Sequence, residues 1–69
     1  MVEMIPVCSS NIQSVGYDQG NLLVDFKNGR RYVYHGVSLA LFNGLVHAPS
    51  VGKFFDQSIK NRYPCDRLD

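Results

Sequence analysis

Lys27, Arg30 and Arg31 fall within five residues of sequence, with Asp25 the nearest acid, and Tyr32 and Tyr34 follow directly. Cations beside aromatic rings are what single-stranded nucleic acid needs. The charges hold phosphates while the rings stack on bases, at about 1–3 kcal/mol for each stacked base. The same residues also fit a plainer role, in which charges solvate a hairpin tip and protect a sheet edge, and alternating tyrosines pack into a core with their hydroxyls at its rim. A second basic set, Lys53, Lys60 and Arg62 with Arg67 beyond it, lies toward the C-terminus, where Asp56, Asp66 and Asp69 nearly cancel it. It reads equally as a solvated helical face. Both sets acting together would mean more than either alone.

Catalytic patterns do not compete with this reading. His35 and His47 stand far apart, without a nucleophile or carboxylate at a telling spacing, and there is no phosphate loop, paired-carboxylate motif or Ser-His-Asp order. Ser9-Ser10-Asn11 can make an anion-holding turn or simply satisfy backbone groups where a strand starts. Cys8 and Cys65 lie near opposite ends, and neither belongs to a C-x-x-C pair or a His/Cys cluster, so no structural zinc site is expected. The chain is therefore read as a binding module and not an enzyme, with no cofactor and no metal.

The elements that must position these residues follow from local pattern. Val15 and Tyr17 alternate with polar or small residues up to the turn cluster Asp18-Gln19-Gly20-Asn21, and Leu22 to Phe26 form a second strand. Asn28-Gly29 then marks a hairpin before Arg31-Tyr32-Val33-Tyr34. Two registers compete for this hairpin. A two-residue Asn28-Gly29 loop would pair Asp25 with Tyr32 and turn Tyr32 and Tyr34 away from Val24 and Phe26. A three-residue Lys27-Asn28-Gly29 loop with Gly29 left-handed would pair Phe26 with Arg30 and Asp25 with Arg31. The second gathers Leu22, Val24, Phe26, Tyr32 and Tyr34 on one face and is favoured, because a one-residue slip scrambles that sorting. A Gln19-Gly20 turn agrees with it, placing Tyr17 opposite Leu22 and Val15 opposite Val24.

From Ser38 the period changes. Ser38 is a good N-cap, and Leu41, Phe42, Leu45 and Ala48 mark an apolar helical stripe that ends at Pro49. Gly44 weakens this helix by about 1 kcal/mol relative to alanine, which points to close packing against the sheet. Ser50 can cap a second helix, with Phe54, Phe55 and Ile59 inward, Lys53, Lys60 and Arg62 more exposed, and Pro64 as its end. The expected fold is α+β: a three-stranded antiparallel meander followed by two helices packed on one sheet face.

Size and charge bound the rest. A chain of 69 residues forms one domain, 1–69, with too small a core for a deep catalytic cleft and a net stability of no more than about 3–5 kcal/mol. Seven Lys+Arg against six Asp+Glu give a formal charge of +1, so any binding of nucleic acid must come from local clustering. No apolar run approaches the roughly 20 residues that span a bilayer. Met1 to Val7 has no basic start, long apolar core or small-residue cleavage site, so a cytoplasmic location with both cysteines as free thiols is expected.

Taken in order, Ser9-Ser10-x-Ile12, Val15-Gly16-Tyr17-Asp18, Leu22-x-Val24-x-Phe26-x-x-Gly29, Tyr32-x-Tyr34, Ala48-Pro49-Ser50-x-Gly52-x-Phe54-Phe55 and Ile59-Lys60-x-x-Tyr63 resemble the KTSC domain, over about residues 7–68. The chain departs from that pattern at Ser38, where proline is usual, and at Asp56, where asparagine is commoner. The family is named for a C-terminal extension of some lysyl-tRNA synthetases, and the resemblance implies a role in RNA binding. The candidate partners are thus RNA, through the basic hairpin and tyrosine strand, or alternatively another protein or a second copy, docked on a sheet face carrying Leu23 and Val33. A small ligand held by the tyrosines and nearby cations is a third reading.

Overall fold

The computed structural model describes residues 3–68, which gather around one apolar core. Five strands, β1 (Ile5–Pro6), β2 (Ile12–Asp18), β3 (Asn21–Phe26), β4 (Arg31–His35) and β5 (Cys65–Arg67), form one antiparallel sheet in the order β1-β2-β3-β4-β5. Two helices, α1 (Leu39–His47) and α2 (Val51–Ser58), lie between β4 and β5 in the chain. The α+β class is as expected, but the three-stranded sheet is not: the meander gains an edge strand on each side. Ile5 sits opposite Val15 at one edge, and Cys65 sits opposite Tyr34 at the other. The last helix therefore leads into a strand that returns to the sheet.

The favoured hairpin register is the one adopted. Asp25 lies opposite Arg31, and the Phe26 N–H donates to the Arg30 carbonyl at 2.8 Å, which leaves Lys27-Asn28-Gly29 as the loop. Gly29 takes a φ of 89°, a left-handed conformation that a residue with a Cβ adopts only with strain. Tyr17 faces Leu22 and Val15 faces Val24, also as expected. A register shift between Ile12 and Ser14 bulges β2, so that Ile12 joins Val15 in the core although the two are three residues apart.

Both helix starts match the sequence. Ser38 Oγ accepts from the Leu41 N–H at 3.1 Å and Ser50 Oγ from the Lys53 N–H at 3.4 Å. Phe42, Leu45, Val51 and Phe55 are buried together with Ile59, which follows α2, and they meet the face carrying Ile12, Val15, Leu22, Val24 and Tyr34. Two expectations need correcting. A Cβ on Gly44 would lie 3.1 Å from the Phe54 ring, so the close approach is to α2 and not to the sheet. The second helix stops at Ser58, six residues before Pro64. Asn61, with a φ of 64°, turns the chain, and Pro64 serves the new strand, its carbonyl accepting from the His35 N–H at 2.9 Å. Among the described residues no helix is long and apolar enough to cross a membrane.

Candidate nucleic-acid interface

Where the β3–β4 hairpin approaches the end of α2, they enclose a cleft of about 750 Å³. Strand alternation sends Phe26, Tyr32 and Tyr34 to the helix side of the sheet, and α2 meets them with Phe55. The rings form a continuous cluster: Phe26 stands edge-on to Tyr32 at 5.7 Å and to Phe55 at 5.8 Å, and Tyr34 stands edge-on to Phe55 at 5.3 Å. Tyr63, carried by the turn after α2, completes an aromatic lining. Lys27 and Arg30 from the hairpin and Lys60 from the turn stand around it, with Asp56 the acid among the described lining residues. The hairpin tip is tied down, since the Lys27 N–H donates to the Asn11 carbonyl at 2.8 Å and Asn28 Oδ1 accepts from the Arg30 N–H at 3.0 Å.

The eight candidate residues divide accordingly. Lys27, Arg30, Tyr32, Tyr34 and Lys60 share this cleft. Arg31 does not: it points to the opposite face of the sheet, where its Nε bonds Asp25 Oδ1 and its Nη2 donates to Asp25 Oδ2 at 2.8 Å. That contact holds the Asp25 carboxyl below the usual range, chiefly through the Arg31 hydrogen bond. Lys53 lines a neighbouring cleft, and Arg62 Nε donates to the Gln57 carbonyl at 2.8 Å, capping the end of α2 outside the aromatic site. Sequence reasoning left out Phe26, Phe55, Tyr63, Asn28 and Asn61, all of which line the cleft, as do Ser10 and Asn11 of the Ser9-Ser10-Asn11 turn. Tyr63, an aromatic residue next to Lys60 and Arg62 in sequence, carried a legible signal. Asn28 and Asn61 carried none as site residues.

The other singled-out groups have structural duties. Ser9 Oγ accepts from the Asn11 and Ile12 N–H groups, each at 3.3 Å, which ties the start of β2. His35 lies between Asn21 Oδ1 at 3.0 Å and Asp66 Oδ2 at 2.9 Å, clipping β5 to the sheet. His47 Nδ1–H donates to the Asn43 carbonyl at 2.8 Å in the last turn of α1. Cys8 and Cys65 are exposed free thiols, and among the described residues no group of three or more His, Cys, Asp or Glu is placed to hold a metal ion.

Tyr34 is the deepest of the cleft tyrosines, at 6% exposure. Burial above all, with the charges of Cys65 and Tyr32 and a hydrogen bond to Cys65 adding to it, pushes its hydroxyl from 10.0 up to about 12. The neutral form is thus favoured in the folded state, and the unfolded chain ionises first. Stability accordingly falls as pH rises from the unfolded value toward the folded one. The urea midpoint should drop between about pH 10 and about pH 12, and Tyr34→Phe should flatten the drop. Identical slopes for the two proteins would show that Tyr34 is not buried as described.

Comparisons with known proteins agree with this architecture. The family model of the KTSC domain matches residues 8–63. A protein of Tsukamurella paurometabola is 37% identical over 62 residues, covering 87% of this chain and 92% of its own length. An uncharacterized protein of Stutzerimonas stutzeri is 33% identical over 64 residues, covering 90% of each. The crystal structure of a KTSC domain protein from Yersinia pestis superposes with a TM-score of 0.94 at 34% identity over the full length of both chains. Motif order, a family match over most of the sequence and a near-identical backbone coincide, and the chain belongs to the KTSC domain family.

Proposed function

We propose that this protein is a small, non-catalytic RNA-binding module that receives a nucleotide of single-stranded RNA in the hairpin cleft. The observation that carries the reading is the convergence of Lys27, Arg30 and Lys60, from two distant segments, around the rings of Tyr32 and Tyr63. Aromatic faces accept any base, and the cations take the flanking phosphates. The cleft volume falls within the roughly 300–1,000 Å³ common for small-molecule sites, which suits one nucleotide and not a duplex. The reading takes the protein as cytoplasmic, where single-stranded RNA is available.

The alternative, a protein-interaction or self-assembly module, draws on the uncovered sheet face, where Leu23 pairs with Val33. Those two half-buried side chains are framed by the Asp25–Arg31 pair and the His35–Asp66 contact. They expose far less than the roughly 800 Å² per partner of a standard interface. RNA binding is the better-supported reading.

Anisotropy titration of a labelled single-stranded RNA at two salt concentrations tests it. Three phosphate contacts give a salt slope of about −2, so raising salt from about 50 to about 200 mM should weaken binding roughly twentyfold. Arg30→Gln should reduce the slope by about 0.7, while Arg31→Gln, on the other face, should leave it unchanged. Salt-insensitive binding, or equal losses from the two variants, would refute the cleft as the site.

A further inference from the structure

The aromatic cleft does not end at Lys27. Ser10, Asn11, Lys27 and Asp56 also line a second cleft of about 770 Å³, which runs on between the Pro6–Asn11 segment and the start of α2. Sharing those four residues, the two cavities adjoin in a surface groove, with Lys27 between them, its backbone fixed to Asn11. Their linings differ in kind. The first is walled by aromatic rings, whereas among the described residues the second carries none and offers Lys27, Lys53 and the Ser10 and Ser50 hydroxyls. Charge concentrates along this groove: its described lining holds Lys27, Arg30, Lys53 and Lys60 against Asp56, a net of +3 on a chain whose formal charge is +1. The remaining residues carry a formal net of −2, so the positive charge of the chain gathers along this groove.

We propose that the two clefts form one track for a single strand, with a base in the aromatic half and the adjoining sugar-phosphate in the polar half. The inference rests on the RNA-binding reading and deepens it: the ligand is an oligonucleotide of at least two linked units, and a free mononucleotide fills only the first half. A cleft with cations and hydroxyls but no ring suits a phosphodiester and gives a base nothing to stack on. Asp56 stands where the two clefts adjoin and opposes the passing phosphate, so it lowers the affinity of the strand.

Titrating the protein with adenosine monophosphate, a diadenylate and a tetra-adenylate separates the possibilities, with Lys53→Gln as the variant. Lys53 is exposed, and its N–H bond to Ser50 is a backbone contact that the substitution keeps. Affinity should rise with length, and Lys53→Gln should weaken the tetra-adenylate about three- to fivefold while leaving the monophosphate unchanged. Asp56→Asn should tighten the tetra-adenylate. Monophosphate binding as tight as the tetra-adenylate, or an equal loss for both ligands in Lys53→Gln, would overturn the track and leave the aromatic cleft standing. Absence of binding by all three would overturn the RNA-binding reading and the track together.

Discussion

Ile59→Ala is expected to remove most of the folded population. Ile59 is wholly buried where α2 ends, and its N–H donates to the Phe55 carbonyl at 3.0 Å. Truncating a buried isoleucine costs about 2–5 kcal/mol, from lost transfer energy and from the cavity left behind. A core of this size supplies only about 3–5 kcal/mol net, so one substitution consumes nearly all of it. Ile59→Val, which deletes a single methylene, should cost only about 0.5–1.5 kcal/mol and remain folded. Urea denaturation followed by circular dichroism reads both. A loss below about 1 kcal/mol for Ile59→Ala would mean that α2 is not anchored on the sheet as described. The position also bears on the site, because the chain passes directly from Ile59 to Lys60 and the cleft wall.

What was legible in the sequence followed from sorting residues onto faces. The pairing of Asp25 with Arg31 is legible because that register collects Val24, Phe26, Tyr32 and Tyr34 on one side, and burial against the helices enforces it. The edge strands were not legible. β1 is two residues long and includes a proline, and β5 is three exposed residues with no apolar alternation. Backbone pairing carries both edges, continued past β5 by the Leu68 N–H donating to the Arg31 carbonyl at 2.8 Å, and the hydrophobic alternation of a sequence does not record it. Pro64 misled because it can stop a helix but does so only if the helix reaches it. The Asn61 turn and the Arg62 cap at Gln57 had already ended this one.

The candidate site was legible in half its parts for the same reason. Grouping Lys27, Arg30 and Arg31 by proximity ignored the alternation of a strand, which places Arg31 with Asp25 on the far side, although the favoured register already implied it. Meeting Lys60 with the hairpin is different. That contact depends on where α2 stops and on the turn through Asn61, and no local pattern fixes either.

Tyr32→Ala is the substitution expected to weaken RNA binding most. Tyr32 is half-buried at the cleft and keeps its ring toward the cavity, whereas Tyr34 is nearly closed off beneath it. Removing a stacking ring costs about 1–3 kcal/mol per base, or roughly five- to 150-fold in affinity. Tyr32→Phe keeps the ring and should bind nearly as the parent does, losing only what the hydroxyl adds. Part of any loss in the alanine variant could come from loosening Phe26, whose ring stands edge-on to Tyr32, so its folded fraction must be measured beside its affinity. Tyr32→Leu separates the two effects, since it retains apolar bulk under Phe26 but offers no π-face. Binding by Tyr32→Leu as tight as by Tyr32→Phe would mean that the ring only packs, and stacking at this position would have to be abandoned. Weak binding by a folded leucine variant, together with full binding by the phenylalanine variant, is the outcome that base stacking requires.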